Sequence, residues 1–174
     1  FGKEGAFITK ATAQLMRDFG CVQSPINAYM LNLGLESLHV RMARHCENGQ
    51  AVAEFLASHP KIAYVNYCGL PGDKYHAVAE KYLPNGSCGV VSFGVKGGRE
   101  AAAAFMGHLK IAAIETHVAD ARTCCLHPAS STHRQMNDEQ LIAAGVQPDL
   151  VRMSCGLEDK NDLIHDIAQA LDQI

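Results

Sequence analysis

The sequence predicts an α/β fold, an α+β sandwich, preceded by a long helix. Three observations lead there. A helical pattern with one apolar face runs over residues 24–59. After it, short apolar and β-branched runs alternate with amphipathic helical patterns to residue 174. Clusters of glycine, proline and asparagine punctuate these segments. The expected boundaries are an arm over 1–23, a connecting helix over 24–59 and an α/β domain over 60–174.

Residues 1–20 have no clean period and end in "RDFG". Ser24 is a good N-cap, and Pro25 suits the first helical position. Leu31, Leu35, Leu38, Met42, Cys46, Ala53 and Leu56 fall on one face, while Arg41, Arg44, His45 and Asn48 line another. Ser58, His59 and Pro60 stop the helix. A continuous helix here would have roughly 30 residues and a length of ~45 Å. A domain of this size has a radius of gyration of only ~13–16 Å, so such a rod suits bracing two domains. Gly34 and Gly49 are its expected kink points, each costing about 1 kcal/mol relative to alanine.

Beyond Pro60, "KIAYVNY" reads as a strand, "CGLPGD" as a turn and "KYHAVAEKYL" as a short helix. "CGVVSFGVKG" is a buried strand and "GREAAAAFMGHL" an alanine-rich helix. "KIAAIET" and "TCCLH" are strand-like, and "NDEQLIAAG" is a helix capped by Asn137 or Asp138. In "DLVRMSCGLED" Val151, Met153 and Cys155 alternate with Arg152, Ser154 and Gly156, the period of a half-buried strand. A last helix buries Leu163, Ile164, Ile167, Ala168, Leu171 and Ile174.

Composition narrows the function classes. The 174 residues are 48% hydrophobic and 19% charged, with a formal net charge of −3, ordinary for a globular protein. That balance gives no electrostatic case for nucleic acid or acidic membranes. No apolar run approaches the ~20 residues that span a bilayer. "FGKEGAFITK" lacks the apolar stretch of a signal peptide. The seven cysteines are odd in number, scattered and without C-x-x-C, which points to reduced thiols in a cytoplasmic protein. None of the nine histidines has the H-x-x-x-H spacing, and no structural metal site is expected. The chain opens on Phe1 rather than a methionine, and a piece of a longer polypeptide is expected.

Several candidate sites compete with plainer readings. Gly97 and Gly98 stand between a strand and a helix, where backbone amides cradle phosphate, yet no G-x-G-x-x-G or Walker pattern accompanies them. A tight turn explains them as well. "LHPASSTH" packs two histidines, two serines and a threonine into a loop, but no G-x-S-x-G elbow surrounds either serine. Lys10 in "TKAT" lacks the enclosed pocket that a nucleophilic lysine needs. Cys124 and Cys125 read as buried strand residues, with His117 and Arg122 the only features favouring a reactive thiolate. Arg152 is the sharpest single residue. Its planar fork suits a carboxylate, either of a ligand or of an internal Asp or Glu.

Three stretches together, "SPINAYMLNLGLESLHVRMARHCENGQAVAEFL", "HPASSTHRQM" and "LVRMSCGLEDKNDLIHDIAQAL", resemble the C-terminal part of the Cys/Met-metabolism enzymes that depend on pyridoxal phosphate. Within that family the likeness is to the O-acetylhomoserine sulfhydrylase group. The resemblance implies the small C-terminal domain of a fold-type I enzyme, a homotetramer, whose N-terminal domain binds the cofactor through a lysine and is absent here. It implies that residues 1–23 are an arm from that domain. It assigns Arg152, in the strand "L-[IV]-R-x-S-x-G-[LI]-E", to the α-carboxylate of an amino-acid substrate.

Relatives carry a serine or asparagine, then Gly-Asp-Ala, before "HPAS". Here "THVADARTCCLHPAS" puts His117 and Ala119 at the polar and glycine positions, which leaves open whether the segment meets cofactor or substrate in the same way. His117 is carried as a substrate-binding candidate that tunes the nucleophile. The implied reaction is γ-replacement, with O-acetyl-L-homoserine and sulfide or methanethiol giving homocysteine or methionine and acetate. The piece alone is expected to be inactive. The siblings methionine γ-lyase and cystathionine γ-synthase are alternatives, as are a free-standing carboxylate-binding module and an assembly domain with a buried Arg152 ion pair.

Overall fold

The computed structural model describes residues 2–174. The chain divides into two compact units, one ending at His39 and one spanning Val40–Ile174. In the first, helix α1 (Ala6–Thr9) runs through a π-helical stretch (Lys10–Met16) into α2 (Arg17–Phe19). Gly20 ends this run in the left-handed conformation at φ 68°. Ser24 then caps α3 (Pro25–Glu36) by accepting the Asn27 N–H, with Pro25 at the first helical position as expected. None of the described residues up to His39 is buried.

The long helix of 24–59 is in two pieces. α3 stops at Ser37, and α4 covers Leu38–Ser58. Neither expected kink point is the break. At Gly49 a Cβ would lie 2.5 Å from the Cys88 carbonyl oxygen, so this glycine serves a close approach of α4 to the chain before the second strand. The faces of α4 are also rotated from those expected. Its buried residues are His45, Asn48, Gly49, Val52, Ala53 and Leu56, while Met42 is exposed. His45 and Asn48, assigned by polarity to the solvent face, turn inward because each finds a backbone partner. His45 Nδ1 lies 2.7 Å from the Cys155 carbonyl, and Asn48 Nδ2 donates to the carbonyls of Gly156 and Glu158 at 2.9 Å each. These bonds offset part of the cost of burial, although His45 Nε2 and Asn48 Oδ1 stay unpaired among the described residues.

The second unit is built on a five-stranded sheet with strands β1 (Ile62–Asn66), β2 (Val90–Val95), β3 (Ala113–Ile114), β4 (Cys124–Leu126) and β5 (Leu150–Ser154). Their order is β1-β2-β5-β4-β3, antiparallel except for the β3–β4 pair. β5 is last in sequence yet central in the sheet. Helices α5 (His76–Tyr82), α6 (Gly98–His108), α7 (Asp138–Ala143) and α8 (Lys160–Asp172) connect and follow the strands. The core joins α4, α6 and α8 to alternate strand positions, Val91, Phe93 and Val95 of β2 and Val151 and Met153 of β5. These helices therefore cover one sheet face, a two-layer α/β arrangement. Phe93 and Phe105 meet edge to face at 5.8 Å. Asn137 caps α7 in a capping box with Gln140.

α8 buries Leu163, Ile167 and Leu171 as expected, while Ile164, Ala168 and Ile174 are half-buried and Ala170 and Asp166 are buried as well. Asp166 is buried on the apolar side, and its carboxylate accepts the N–H groups of Lys110, Ile111 and Ala112 at 2.8, 2.9 and 3.0 Å. The turn after α6 has no strand to satisfy those donors, so a charged acceptor takes the place of a ladder. Asp166→Ala should lower the unfolding free energy by about 3 kcal/mol, since buried N–H groups lose their partner. Urea unfolding of wild type and variant measures it.

Candidate functional site

Arg152 lies opposite Ser92 of β2 on one side and Leu126 of β4 on the other. Its neighbours Val151 and Met153 point into the core, so the period of two turns Arg152 to the opposite face, where it is half-buried. Nη2 donates to the Thr116 carbonyl at 2.8 Å. Nε is buried and has no acceptor. None of the ion pairs among the described residues involves Arg152. The internal Asp or Glu that would make this a structural salt bridge is absent among the described residues. A buried guanidinium nitrogen without an acceptor is costly, and a shift of the side chain would bring it within reach of a carboxylate from outside the chain.

The other motif residues hold β5 and its following turn in place. Ser154 Oγ accepts the Ala119 N–H at 3.0 Å. At Gly156 a Cβ would come within 2.4 Å of the Ala121 oxygen and the Arg122 carbonyl carbon, so two chain segments cross there and only glycine fits. Gly156 N donates to Thr123 Oγ1 at 2.8 Å, and Glu158 accepts from Thr123 N and Oγ1 at 2.7 and 2.8 Å. Ser154 and Glu158 thus find their partners inside the chain. Arg152 alone among the polar side chains of the motif keeps a buried nitrogen unpaired.

His117 belongs to the loop of residues 115–123 between β3 and β4. Arg152 holds this loop at Thr116 and Ser154 holds it at Ala119. The ring is exposed, with Nδ1 3.1 Å from Glu115 Oε2 and 3.5 Å from Asp120 Oδ2. Arg122 reaches the same carboxylates, Nη2 at 3.1 Å from Glu115 and Nε at 3.9 Å from Asp120. The Arg122 backbone N–H, and then the charges of Arg122 and His117, hold the Asp120 carboxyl below its usual range. Ligand atoms of Glu115, His117 and Asp120 lie within 4.8 Å of one another, a spacing a metal ion could use. Arg122 already supplies a positive charge there, so the group stands as an ionic cluster. Ala119 adopts φ 60°, the left-handed region that favours glycine, at a cost of about 1–3 kcal/mol for an alanine. Sequence reasoning had passed over Glu115 and Asp120. The signal available was four titratable side chains within "ETHVADAR".

The remaining candidates resolve into structure. His127 is buried, with Nε2 2.9 Å from the Pro148 carbonyl and Nδ1 2.9 Å from Ser130 Oγ. Both ring nitrogens are engaged, so the His127–Ser130 pair pins the loop. Burial raises the thiol pKa of both Cys124 and Cys125, which keeps them protonated and unreactive. Gly97 and Gly98 take left-handed φ values of 106° and 75°, as a tight strand–helix turn requires. Lys10 is exposed, and no described lysine is buried.

Comparison with known proteins decides the family. The model of the Cys/Met metabolism PLP-dependent enzymes matches residues 3–172. The chain belongs to that family. It is 45% identical to the O-acetyl-L-homoserine sulfhydrylase of Leptospira meyeri, covering 97% of this chain and 38% of that one. It is 42% identical to the homocysteine synthase of Schizosaccharomyces pombe, covering 96% and 39%. A Campylobacter jejuni crystal structure, described as an O-acetylhomoserine (thiol)-lyase with N'-pyridoxyl-lysine-5'-monophosphate at its position 205, superposes with a TM-score of 0.86. The two are 37% identical, over 96% of this chain and 40% of the other. The chain therefore spans about two fifths of the length of these relatives.

Pyridoxal phosphate is the family's cofactor. Among the residues present, the Arg152 guanidinium, with Nε lacking an acceptor, is the group that could meet the carboxylate of a cofactor-bound amino acid. These residues do not by themselves enclose the cofactor, since no described lysine is buried and the glycine turn at α6 is accounted for by its own geometry.

Burial holds the His127 pKa below that of a free histidine. The unfolded chain therefore takes up this proton first as pH falls, beginning near the ordinary value of about 6.5. The stabilisation is complete above that pH and declines below it. Thermal melts between about pH 8 and about pH 5 should show a loss of stability that is smaller in His127→Asn.

Proposed function

We propose that this chain is the substrate-carboxylate half of a pyridoxal-phosphate enzyme that replaces the acetyl group of O-acetyl-L-homoserine with sulfide or methanethiol, giving homocysteine or methionine and acetate. The observation that carries the reading is the unpaired buried Nε of Arg152 in a chain whose relatives include O-acetyl-L-homoserine sulfhydrylases. When bound, pyridoxal phosphate supplies the electron sink that makes carbon-bound protons of the amino acid labile. Arg152 binds and orients. Its fork holds the α-carboxylate, and the Thr116 carbonyl holds the fork, so the carbon chain is presented in one register.

The catalytic lysine belongs to the part of the enzyme outside this chain, and residues 1–174 alone carry no activity. Exposed Phe7, Phe19, Tyr29, Leu31 and Leu35 support the reading that the arm and α3 pack against further protein, the cofactor domain or another copy of the enzyme. Seven free cysteines support a reducing, cytoplasmic setting.

The full-length enzyme with pyridoxal phosphate, O-acetylhomoserine and sulfide should form homocysteine. Release of a keto acid and ammonia instead, unaffected by sulfide, would assign it to the lyases. In Arg152→Ala the KM for O-acetylhomoserine should rise roughly a hundredfold, the loss of a charge-assisted pair of about 3 kcal/mol. Stability of the same variant should change by only about 1.5 kcal/mol, because one hydrogen bond to a backbone carbonyl is lost and no ion pair is broken. A larger drop in stability with unchanged KM would sink the reading.

A further inference from the structure

We infer that His117 is the base that takes the proton from the thiol co-substrate, with Glu115 orienting its ring. The inference rests on the sulfhydrylase reading above and adds a catalytic residue to it.

The geometry is that of a histidine set to accept a proton. Nδ1 sits 3.1 Å from a Glu115 oxygen and 3.5 Å from an Asp120 oxygen, ion-pair distances that favour a proton on that nitrogen and leave Nε2 as the acceptor. The charges around the ring point the same way. Glu115 and Asp120 are both in ion-pair reach of His117 and of Arg122. Two carboxylates against one guanidinium leave the cluster one negative charge in excess while His117 is neutral, and a proton on the ring brings it to zero. The other titratable group in contact is the Cys124 thiol, which donates towards Glu115 at 3.7 Å and remains protonated. The Arg152 guanidinium bears on the same loop through Thr116.

Position puts this proton acceptor on the loop that Arg152 holds. His117 and Val118 lie between the two points at which β5 holds the loop, the Arg152–Thr116 bond at 2.8 Å and the Ser154–Ala119 bond at 3.0 Å. The residue that grips the carboxylate thus also grips the loop carrying the base, and one rigid strand sets both. The ring is 63% exposed, so a proton it gains can pass to water and the base is reset.

The step balances as follows. The co-substrate is a small thiol, R–SH or hydrogen sulfide. Its proton passes to Nε2 of His117, and the electron pair of the S–H bond forms the new bond to the γ-carbon from which acetate has departed. The π pair of the Cβ–Cγ double bond left by that departure is released onto Cβ, which takes up a proton to complete the saturated side chain. Acetate release precedes this step and does not call on His117. Loss of the base should therefore show in the partition of the substrate, product formed per acetate released, rather than in acetate release alone.

The test uses the full-length enzyme with pyridoxal phosphate, O-acetylhomoserine and methanethiol, comparing wild type with His117→Asn. Thiol product per acetate released should fall about a hundredfold, within the range for loss of a general base. The fall should be smaller with hydrogen sulfide, a stronger acid that reaches its reactive anion with less help. It should diminish as pH rises and the thiol ionises unaided, and added imidazole should restore part of it. An unchanged ratio in His117→Asn overturns the inference and leaves the sulfhydrylase reading standing. So does a parallel loss of acetate and product that imidazole does not restore, the signature of a structural role. Failure of the wild-type enzyme to release acetate from O-acetylhomoserine overturns the underlying reading itself.

Discussion

Everything in the second unit depends on the turn that follows β5. Cys155 to Glu158 has few backbone partners of its own, and side chains from elsewhere in the chain grip it. α4 reaches it through His45 and Asn48, and Thr123 meets Glu158 from the far side. Cys155 N also donates to the Gly89 carbonyl at 2.8 Å. These contacts join segments over 100 residues apart in the case of α4. Gly156 is the point of closest crossing, and any side chain there would collide with residues 121–123. Fixing this turn fixes the register of β5, and a slip of one residue would send Arg152 into the core.

A central strand is a sound place for a binding residue. β5 is paired on both edges, so its backbone has little freedom, and Arg152 inherits that rigidity. The loop of residues 115–123 has almost no regular structure, yet β5 restrains it at two places. An irregular element is thereby held by a rigid one. The cost is visible in Ala119, whose left-handed backbone is held by its bond to Ser154 rather than by its own preference.

Polarity was a poor guide in the interior. His45, Asn48 and Asp166 are all buried, and each is there because a stretch of backbone lacks partners. His45 and Asn48 serve the turn after β5, and Asp166 serves residues 110–112. A helical wheel assigns such residues to solvent because it registers hydrophobicity and is blind to distant orphaned amides and carbonyls. The same blindness explains why α3 and α4 read as one rod. The apolar spacing runs across Ser37 without a gap, and only the backbone shows the stop.

The sequence by itself determined the local elements, because strand alternation, caps and turn residues act over a few positions. Ser24–Pro25, the Asn137 capping box and the Val151–Met153–Cys155 alternation each stand where their chemistry put them. It also singled out Arg152, since a charge inside an alternating strand is conspicuous in one dimension. Only the tertiary structure decided what Arg152 lacks. Whether a guanidinium has an internal carboxylate depends on strands that are distant in sequence, and none of the described carboxylates meets it. The cluster around His117 was likewise decided in three dimensions, because the positions of Glu115, Asp120 and Arg122 follow from how β5 bends the loop.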